Sequence, residues 1–370
     1  MRIGIDARIL DRCITGTGRY LLNILNELPN IDKKNEYFIF SRNIPEVDKN
    51  FFKIVTQKQS ILSLKLFSPI WLNIILPKMI RKYKIDLLFS PNILIPLVKL
   101  PNTKIITVVH DVIPRVYKEY YTFIYKIYLS IFLPPSLKKS CRIITVSELS
   151  KNDITKYYGI SNNKIRVIYN NAPDRFKPRE LSNEERIKFK KDNNIPEKYL
   201  LFVGVIQKRK NIIGLIKILD ILKMKGSELN LVMIGKPGYD FKNIQLEISK
   251  RKDFIKHIEF IDDEKLALIY NNAFAFIFPS FYEGFGIPPL EAMQSGIPVL
   301  SSNTSSLIEV VGSGGILRDP QDYEGFAGDI LKLENESVFY NEMKLKALKQ
   351  SKKFNLNETV QRLVNVFNEL

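Results

Sequence analysis

The chain has 370 residues, 45% hydrophobic and 26% charged, so it can bury the cores of about two domains of ~150 residues each. Its two cysteines, Cys13 and Cys141, exclude a disulfide framework and a cysteine-rich zinc site, and two histidines exclude a histidine-rich metal cage. We therefore expect a globular protein of a reducing, cytoplasmic compartment.

The net charge of +17 lies almost entirely in the first half of the chain. Residues 1–180 hold 30 Lys and Arg against 14 Asp and Glu, whereas residues 181–370 hold 26 against 25. The first half should therefore face an anionic partner, and a membrane surface, a phosphorylated substrate and nucleic acid all qualify. The apolar stretch Ile61–Pro77 is broken by Lys65 and Pro69, which favours a buried or interfacial helix over a membrane span.

Short apolar, β-branched runs alternate with helical stretches along both halves. The N-terminus begins as a strand and not as a secretion signal. In the first half the predicted strands are Arg2–Asp6, Tyr37–Ser41, Ile85–Phe89, Lys104–His110, Arg142–Val146 and Arg166–Tyr169. In the second half they are Tyr199–Val205, Asn230–Ile234, His257–Ile261, Phe274–Phe278, Pro298–Ser301 and Gly315–Leu317.

This rhythm is typical of βαβ units and predicts an α/β protein with two doubly wound parallel sheets. The first domain is expected over residues 1–175 and the second over 176–352, with a C-terminal helix in 353–370 that returns to the first domain. The polar stretch Pro173–Lys198 should hold the linker and the opening helix of the second domain. Little can be predicted for Asn43–Ser60.

Ligands of doubly wound sheets bind where the strands end, and two candidate sites follow strands of the first half. After the first strand comes a loop ending in Thr15–Tyr20 (TGTGRY), where Gly16 and Gly18 would let the backbone approach an anion at a helix N-terminus. His110 and Asp111 follow a very apolar strand. They could hold substrate hydroxyls or simply cap the next turn.

Three cations, Lys208, Arg209 and Lys210, follow the strand that opens the second half. Asn211 is a candidate N-cap for the apolar helix that comes next. Positive charges at the positive end of a helix each cost roughly 0.3–1 kcal/mol, so their presence favours a phosphate site over a solvated charge cluster.

The most specific motif is the stretch Ser280–Met293 (SFYEGFGIPPLEAM), which follows the strand Phe274–Phe278. Two glycines open the loop and two prolines suit the first turn of a helix. Glu283 in the loop and Glu291 on the helix could grip the hydroxyls of a polyol ligand. The acidic run Asp262–Glu264 is interpreted as a helix cap and first turn, not as a metal site.

Together these residues resemble the family 4 retaining glycosyltransferases of the GT-B fold, in which two Rossmann-like domains face each other across a cleft. The paired glutamates Glu283 and Glu291, with seven residues between them, match the motif of that family. The resemblance covers nearly the whole chain and also rests on these stretches: TGTGRY, HDVIP, ITVSELSKNDI, VIYNNAPDRFKP, FVGVIQKRKN and SSLIEVVG.

The resemblance implies a nucleotide-sugar in the second domain and an acceptor in the first. Arg209 and Lys210 would hold the donor diphosphate with help from the amides near Gly16 and Gly18. Glu291 would bind the ribose. Glu283 and the amides of Phe285 and Gly286 would hold the donor sugar, and His110 would approach that sugar, so that His110 and Glu283 are the catalytic candidates. Val205 departs from the pattern of the family, since some members carry a second diphosphate-binding Arg at this position.

We therefore expect a hexosyltransferase that works without a metal or other cofactor. Its first expected donor is GDP-mannose, its acceptor a lipid-linked oligosaccharide of surface polysaccharide (O-antigen or lipopolysaccharide) biosynthesis, and its place the inner face of the cytoplasmic membrane. An anionic membrane is the expected partner of the basic first half, and nucleic acid is not, because no recognition motif is present. A sugar-nucleotide epimerase and a non-catalytic membrane- or sugar-binding protein are the alternatives. An oxidoreductase is disfavoured because a full G-x-G-x-x-G is missing.

Overall fold

The protein is described by a computed structural model, which covers residues 1–11, 16–56, 67–117 and 123–370. These residues divide into two compact units, one formed by Met1–Asn171 with Leu356–Leu370 and the other by Ala172–Asn355. The predicted divisions after residues 175 and 352 lie a few residues from these positions.

The described part of the first unit forms a seven-stranded parallel sheet in the order β3-β2-β1-β4-β5-β6-β7. Its strands are β1 Arg2–Asp6, β2 Glu36–Ser41, β3 Phe52–Thr56, β4 Leu87–Ser90, β5 Lys104–Val109, β6 Arg142–Thr145 and β7 Ile165–Val167. Its helices are α1 Gly16–Ile31, α2 Phe67–Ile70, α3 Leu76–Lys82, α4 Ile113–Val116, α5 Phe123–Lys139 and α6 Glu148–Tyr158, with a π-helical turn at Trp71–Ile75 between α2 and α3.

The second unit forms a six-stranded parallel sheet in the order β10-β9-β8-β11-β12-β13. Its strands are β8 Tyr199–Val203, β9 Asn230–Ile234, β10 Ile255–Ile258, β11 Ala275–Phe278, β12 Val299–Ser302 and β13 Ile316–Arg318. Its helices are α7 Asn183–Asp192, α8 Ile212–Met224, α9 Phe241–Ser249, α10 Asp263–Asn272, α11 Ile287–Gln294, α12 Leu307–Val311, α13 Tyr323–Asn335 and α14 Ser337–Ser351. The last helix, α15 Leu356–Asn368, packs in the first unit.

Residues of the first sheet alternate between two hydrophobic cores, one on each face. Leu87 and Phe89 of β4 join the core formed with α1 and α15, whereas Leu88 between them joins the core that contains Trp71 and Leu137. Because successive side chains of a strand point to opposite faces, one apolar run supplies both cores. This explains why the buried strands are continuous apolar runs in the sequence.

The prediction of two doubly wound parallel sheets is confirmed, and most strand boundaries agree to within two residues. One strand was missed, because β3 lies in the region for which little was predicted. It pairs only with β2 at the edge of the sheet, and Phe52 alone among its residues is buried. An edge strand with one buried residue lacks the apolar signature of its neighbours.

The apolar segment Ile61–Pro77 and the apolar, basic segment that leads into α5 are described in part, because residues 61–66 and 118–122 lie outside the described residues. The rest of the first segment is helical, as predicted, and Trp71, Leu72 and Leu76 are buried. In α5, by contrast, Phe123, Ile124 and other large apolar side chains are exposed. No helix of the described residues is long and apolar enough to cross a membrane.

Candidate active site

The second sheet places candidate residues at the point where its strand order changes direction. In the second sheet the chain runs from β8 outward through β9 in one direction and through β11 in the other, so the switch lies between β8 and β11. Arg209 and Lys210 follow β8, and Glu283 follows β11. Such switch points open a crevice at the carboxyl ends of the strands, where ligands of doubly wound sheets bind.

The three cations after β8 form a tight turn that is buried in part. Lys208–Lys210 is a 3-10 turn in which Arg209 and Lys210 are each 7% exposed. Asn211 follows in the left-handed region (φ 55°), and its side chain accepts a hydrogen bond from the amide of Gly214, as expected of an N-cap of α8. The loop is tied to the next motif, because the amide of Phe281 donates to the carbonyl oxygen of Arg209 at 3.0 Å.

Glu283 is the counter-ion of these buried cations. Its Oε1 atom lies 2.6 Å from Lys210 Nζ and 3.0 Å from an Arg209 guanidinium nitrogen, and the Ser280 hydroxyl donates to it at 2.5 Å. Burial alone would raise the pKa of Glu283, but the charges of Arg209 and Lys210 hold it at about 2. Two cations and one ionised carboxylate leave this buried cluster with a net positive charge, which attracts anions.

The loop that carries Glu283 is held by a pair of serines. The Ser305 hydroxyl accepts a hydrogen bond from the backbone amide of Glu283 at 3.0 Å, and the Ser306 hydroxyl lies 2.9 Å from the carbonyl oxygen of Glu283 and 2.8 Å from that of Phe285. Both serines belong to the SSLIEVVG stretch, which carried the resemblance but was assigned no role. Sequence reasoning missed them because nothing local links that stretch to the Glu283 loop.

Gly286 is the N-cap of α11 and has a backbone conformation that favours glycine. Its φ is 111°, and a Cβ atom there would meet Leu307 at 2.8 Å. Phe285 beside it is buried. Within α11, Glu291 is only 2% exposed, and its Oε2 accepts a hydrogen bond from the Tyr270 hydroxyl at 2.9 Å. The structure therefore places Glu291 inside the second unit, and its contact with a ribose stays a prediction.

In the first unit, Gly16 and Gly18 lie inside a helix, whereas the sequence predicted a loop through Tyr20. The helix α1 begins at Gly16, and Thr15 lies outside the described residues. The periodic burial of Tyr20, Leu21 and Ile24 explains the earlier start, since the helical face already includes Tyr20. The first-turn amides of α1 have no acceptor within the helix, so an anion can still bind them there.

His110 follows directly after β5, and its ring is buried. The ring makes a backbone hydrogen bond to Pro91 and packs edge-on against Tyr20, with ring centroids 4.9 Å apart. Burial lowers the pKa of His110 to about 4, so the ring is neutral near pH 7. Within the described residues, His110 Nε2 has no hydrogen-bond partner. A neutral imidazole whose N–H is used by a carbonyl has an acceptor at its other nitrogen, so Nε2 can accept from a ligand hydroxyl.

Two acidic motifs accept hydrogen bonds from backbone amides near the start of a helix. Asp111 Oδ1 accepts a hydrogen bond from the amide of Ile113 at 3.0 Å, which supports the turn into α4. Asp262 is the N-cap of α10 and accepts from the amide of Lys265 at 2.8 Å, which confirms the interpretation of that run as a cap. The described residues contain no group of three or more His, Cys, Asp or Glu side chains that could hold a metal ion.

Within the second unit the structure thus brings Arg209, Lys210 and Glu283 into one cluster, with Gly286 and Phe285 on the same loop. Within the first unit it places His110 and Tyr20 together, and Gly16 and Gly18 lie on the helix that carries Tyr20. The family models match this division. The model described as Glycosyltransferase Family 4 covers residues 14–171, and the model described as Glycosyl transferases group 1 covers residues 183–353. The two models together cover most of the chain, which therefore belongs to the glycosyltransferases that they describe.

Named relatives and a solved structure agree with this membership. The chain is 27% identical over 369 residues to O-antigen chain mannosyltransferase B of Escherichia coli, and this match covers 96% of each chain. It is 32% identical over 228 residues to O-antigen chain mannosyltransferase RfbU of Salmonella typhimurium, covering 61% of this chain and 60% of the relative. The structure of HepE from Anabaena in complex with UDP-glucose is similar with a TM-score of 0.77 at 16% identity, covering 100% of both chains. The predicted GT-B fold is confirmed, and these matches do not favour the epimerase or the non-catalytic alternative.

Proposed function

We propose that this enzyme moves mannose from GDP-mannose to a lipid-linked saccharide, with retention of anomeric configuration, during the assembly of a surface polysaccharide such as O-antigen. The buried cluster of Arg209, Lys210 and Glu283 carries the proposal, because its net positive charge at a switch point suits the diphosphate of a nucleotide-sugar. The mannosyl donor is supported by the names of the relatives in Escherichia coli and Salmonella, and a nucleotide-sugar by the UDP-glucose bound to HepE.

The leaving diphosphate gains negative charge as the glycosidic bond breaks. Arg209 and Lys210 would stabilise that charge, and their burial makes the attraction stronger than it would be in water. The N-terminus of α8 begins directly after them and adds its positive dipole end. We propose that these groups neutralise the leaving group without a metal ion or other cofactor.

The transfer itself would take place on one face of the donor sugar. The acceptor hydroxyl oxygen forms a bond to the anomeric carbon while the bond from that carbon to the phosphate oxygen breaks, and its electron pair stays on the diphosphate. The hydroxyl proton passes to a phosphate oxygen of the departing donor. The anomeric carbon becomes positively charged along this path, so the ionised Glu283 would stabilise the transition state as well as hold a sugar hydroxyl.

His110 would orient the donor sugar and not transfer a proton. Its pKa of about 4 keeps the ring neutral, and Nε2 is an acceptor without a partner in the described structure. A sugar hydroxyl is the donor that this nitrogen lacks, and a single such hydrogen bond typically contributes 0.5–1.5 kcal/mol.

We also propose that the first unit holds the enzyme against the inner face of the cytoplasmic membrane, where a lipid-linked acceptor would be found. In α5, Phe123 is 72% exposed, Ile124 81% and Ile131 58%, next to Lys126 on the same helix. Large apolar side chains interleaved with cations are typical of helices that lie in a membrane interface. The charge of +16 over residues 1–180 supports the same surface.

A panel of nucleotide-sugars tests the donor. The purified enzyme should slowly hydrolyse GDP-mannose without an acceptor, and mass spectrometry should detect GDP and mannose, whereas UDP-glucose and UDP-galactose should remain intact. The Lys210→Ala variant is the control for contaminating hydrolases. If the enzyme turns over only a UDP-sugar, that UDP-sugar takes the place of GDP-mannose as the proposed donor. If it turns over no nucleotide-sugar even when lipid-linked acceptors are present, the transferase activity is contradicted.

A further inference from the structure

The second unit carries a groove at the edge of its sheet opposite to the candidate active site. Lys198 precedes β8, Phe274 precedes β11 and Ile297 lies just before β12, and all three line the groove. In a parallel sheet the amino ends of the strands share one edge, whereas Arg209 and Glu283 follow the carboxyl ends. Side chains of α7 and α14 also line the groove, and its volume is about 580 Å³, within the usual range of small-molecule sites.

The charge of this basic groove is unbalanced. Its lining includes a single carboxylate, Glu197, and these five cations: Arg179, Arg186, Lys190, Lys198 and Lys344. Two of them are neutralised from outside, since Arg179 pairs with Glu264 at 2.9 Å and Lys198 with Glu334 at 2.7 Å. Among the described residues, the other three cations form no ion pair, which leaves the lining with a net positive charge.

The three cations without an ion pair face the groove from two helices. Arg186 and Lys190 lie one turn apart on α7, and Lys344 lies on α14. Lys190 is partly buried and its Nζ donates to the carbonyl oxygen of Glu197, and burial lowers the pKa of this amine. The charge of Glu197 offsets this effect in part and that of Arg186 adds to it, so a bound anion would stabilise the protonated amine further.

Part of the lining is apolar, and its two aromatic side chains are in contact with each other. Phe274 and Tyr340 stack with ring centroids 5.1 Å apart, and the Tyr340 hydroxyl donates to the carbonyl oxygen of Phe274 at 3.0 Å. Leu345 and Leu348 of α14 continue this surface. A ligand of the groove would therefore place an anionic group between the cations and an uncharged body on the aromatic and aliphatic side chains.

We propose that the basic groove is a second binding site, for a phosphorylated small molecule, separate from the donor site. The phosphate lies between Arg186, Lys190 and Lys344, where phosphate oxygens accept charge-assisted hydrogen bonds. The organic body packs against Tyr340 and Leu345. The site does not depend on the proposed sugar transfer, and its occupancy should stabilise the folded protein by mass action.

Thermal unfolding in inorganic phosphate, compared with sodium chloride at equal ionic strength, tests the site. Phosphate should raise the midpoint temperature of the natural protein and of Lys210→Ala. Because the donor site also attracts anions, the groove is tested in Lys210→Ala, where adding Arg186→Ala with Lys344→Ala should remove the rise. The matched control, Lys188→Ala with Lys352→Ala, removes two exposed cations from α7 and the end of α14 that do not line the groove, and it should keep the rise.

Three results would overturn the proposal. These are a rise in phosphate no larger than in chloride, loss of the effect in the control pair as complete as in the groove pair, and loss of the effect in Lys210→Ala alone. The last result would assign the phosphate to the donor site. Circular dichroism of each variant before heating checks that it is folded. A titration with a hexose phosphate should show higher affinity than one with inorganic phosphate, because the apolar part of the lining contacts the organic body.

Discussion

Glu283 Oε1 lies 2.6 Å from Lys210 Nζ, and both side chains are buried at the carboxyl edge of the second sheet. The carboxylate compensates the cations that are proposed to hold the donor diphosphate. A diphosphate that binds there must therefore share Lys210 and Arg209 with Glu283. This relationship makes the two residues interdependent, so a change to either alters the charge that the other experiences.

Lys210→Ala should lower donor turnover on the order of 10²-fold or more, because it removes charge stabilisation of the leaving group. The control is Lys208→Ala, since Lys208 lies on the same turn but is exposed. The control should keep near-normal turnover, measured as steady-state release of GDP. A folded Lys210→Ala variant with normal activity would show that the assigned phosphate site is wrong.

The two glutamates should affect different kinetic constants. Glu283 is assigned to the reacting sugar, so Glu283→Gln should mainly lower kcat. Glu291 is assigned to the ribose, which does not change during transfer, so Glu291→Gln should mainly raise KM. Steady-state kinetics with circular dichroism as the folding check measures both. The assignments are reversed if Glu291→Gln abolishes kcat while Glu283→Gln changes KM alone.

Glu283→Gln should also bind GDP more tightly than the natural protein does. The substitution keeps the size of the side chain but leaves Arg209 and Lys210 with no carboxylate from Glu283, and the diphosphate then supplies the missing negative charge. Without ligand, the variant should unfold at a lower temperature. Calorimetric titration with GDP and thermal unfolding measure the two effects. Weaker GDP binding by a folded variant would contradict the shared-cation relationship.

The burial of His110 as a neutral ring should lower the free energy of unfolding as the pH falls from 6.5 toward 4. Burial lowers the pKa of His110 to about 4, so in this range the unfolded chain binds a proton that the folded protein does not. The ionised Glu283 also stabilises the folded protein. This contribution is lost at lower pH, as the pH falls from 4.5, the ordinary pKa of a glutamate, toward the pKa of about 2 that Glu283 has in the folded protein. His110→Gln should therefore show a shallower loss of unfolding free energy between pH 6.5 and 4.5, measured by urea denaturation. If the unfolding free energy falls with pH equally steeply in the variant and in the natural protein, His110 is not buried as a neutral ring.

Binding to anionic liposomes should need both charge and the exposed side chains of α5. The protein should sediment with anionic vesicles at low salt, stay in solution with neutral vesicles, and be released at high salt. Phe123→Ser with Ile124→Ser should weaken sedimentation. The control pair Met224→Ser with Val338→Ser removes side chains that are 78% and 82% exposed in the second unit. Equal weakening by the control, or no binding to anionic vesicles, would contradict the proposed surface.

The sequence alone was sufficient for the architecture and for the main candidate residues. Apolar runs such as Ile105–Val109 are local signals, because a strand buried on both faces must be apolar throughout. The capping roles of Asn211 and Asp262 were equally local, since a cap bonds an amide two or three residues away. Glu283 and Glu291 could be selected because their spacing lies within one short motif.

Only the tertiary structure decided which of these residues meet. The pairing of Glu283 with Arg209 and Lys210 depends on β8 and β11 being neighbours, and strand order is not written in the periodicity of either segment. The same reason hid Ser305 and Ser306, which hold the Glu283 loop, and the basic groove, whose cations come from separate helices. Electrostatic and hydrogen-bonding partners act across space, so residues far apart in the chain become one site only when the sheet brings their loops together.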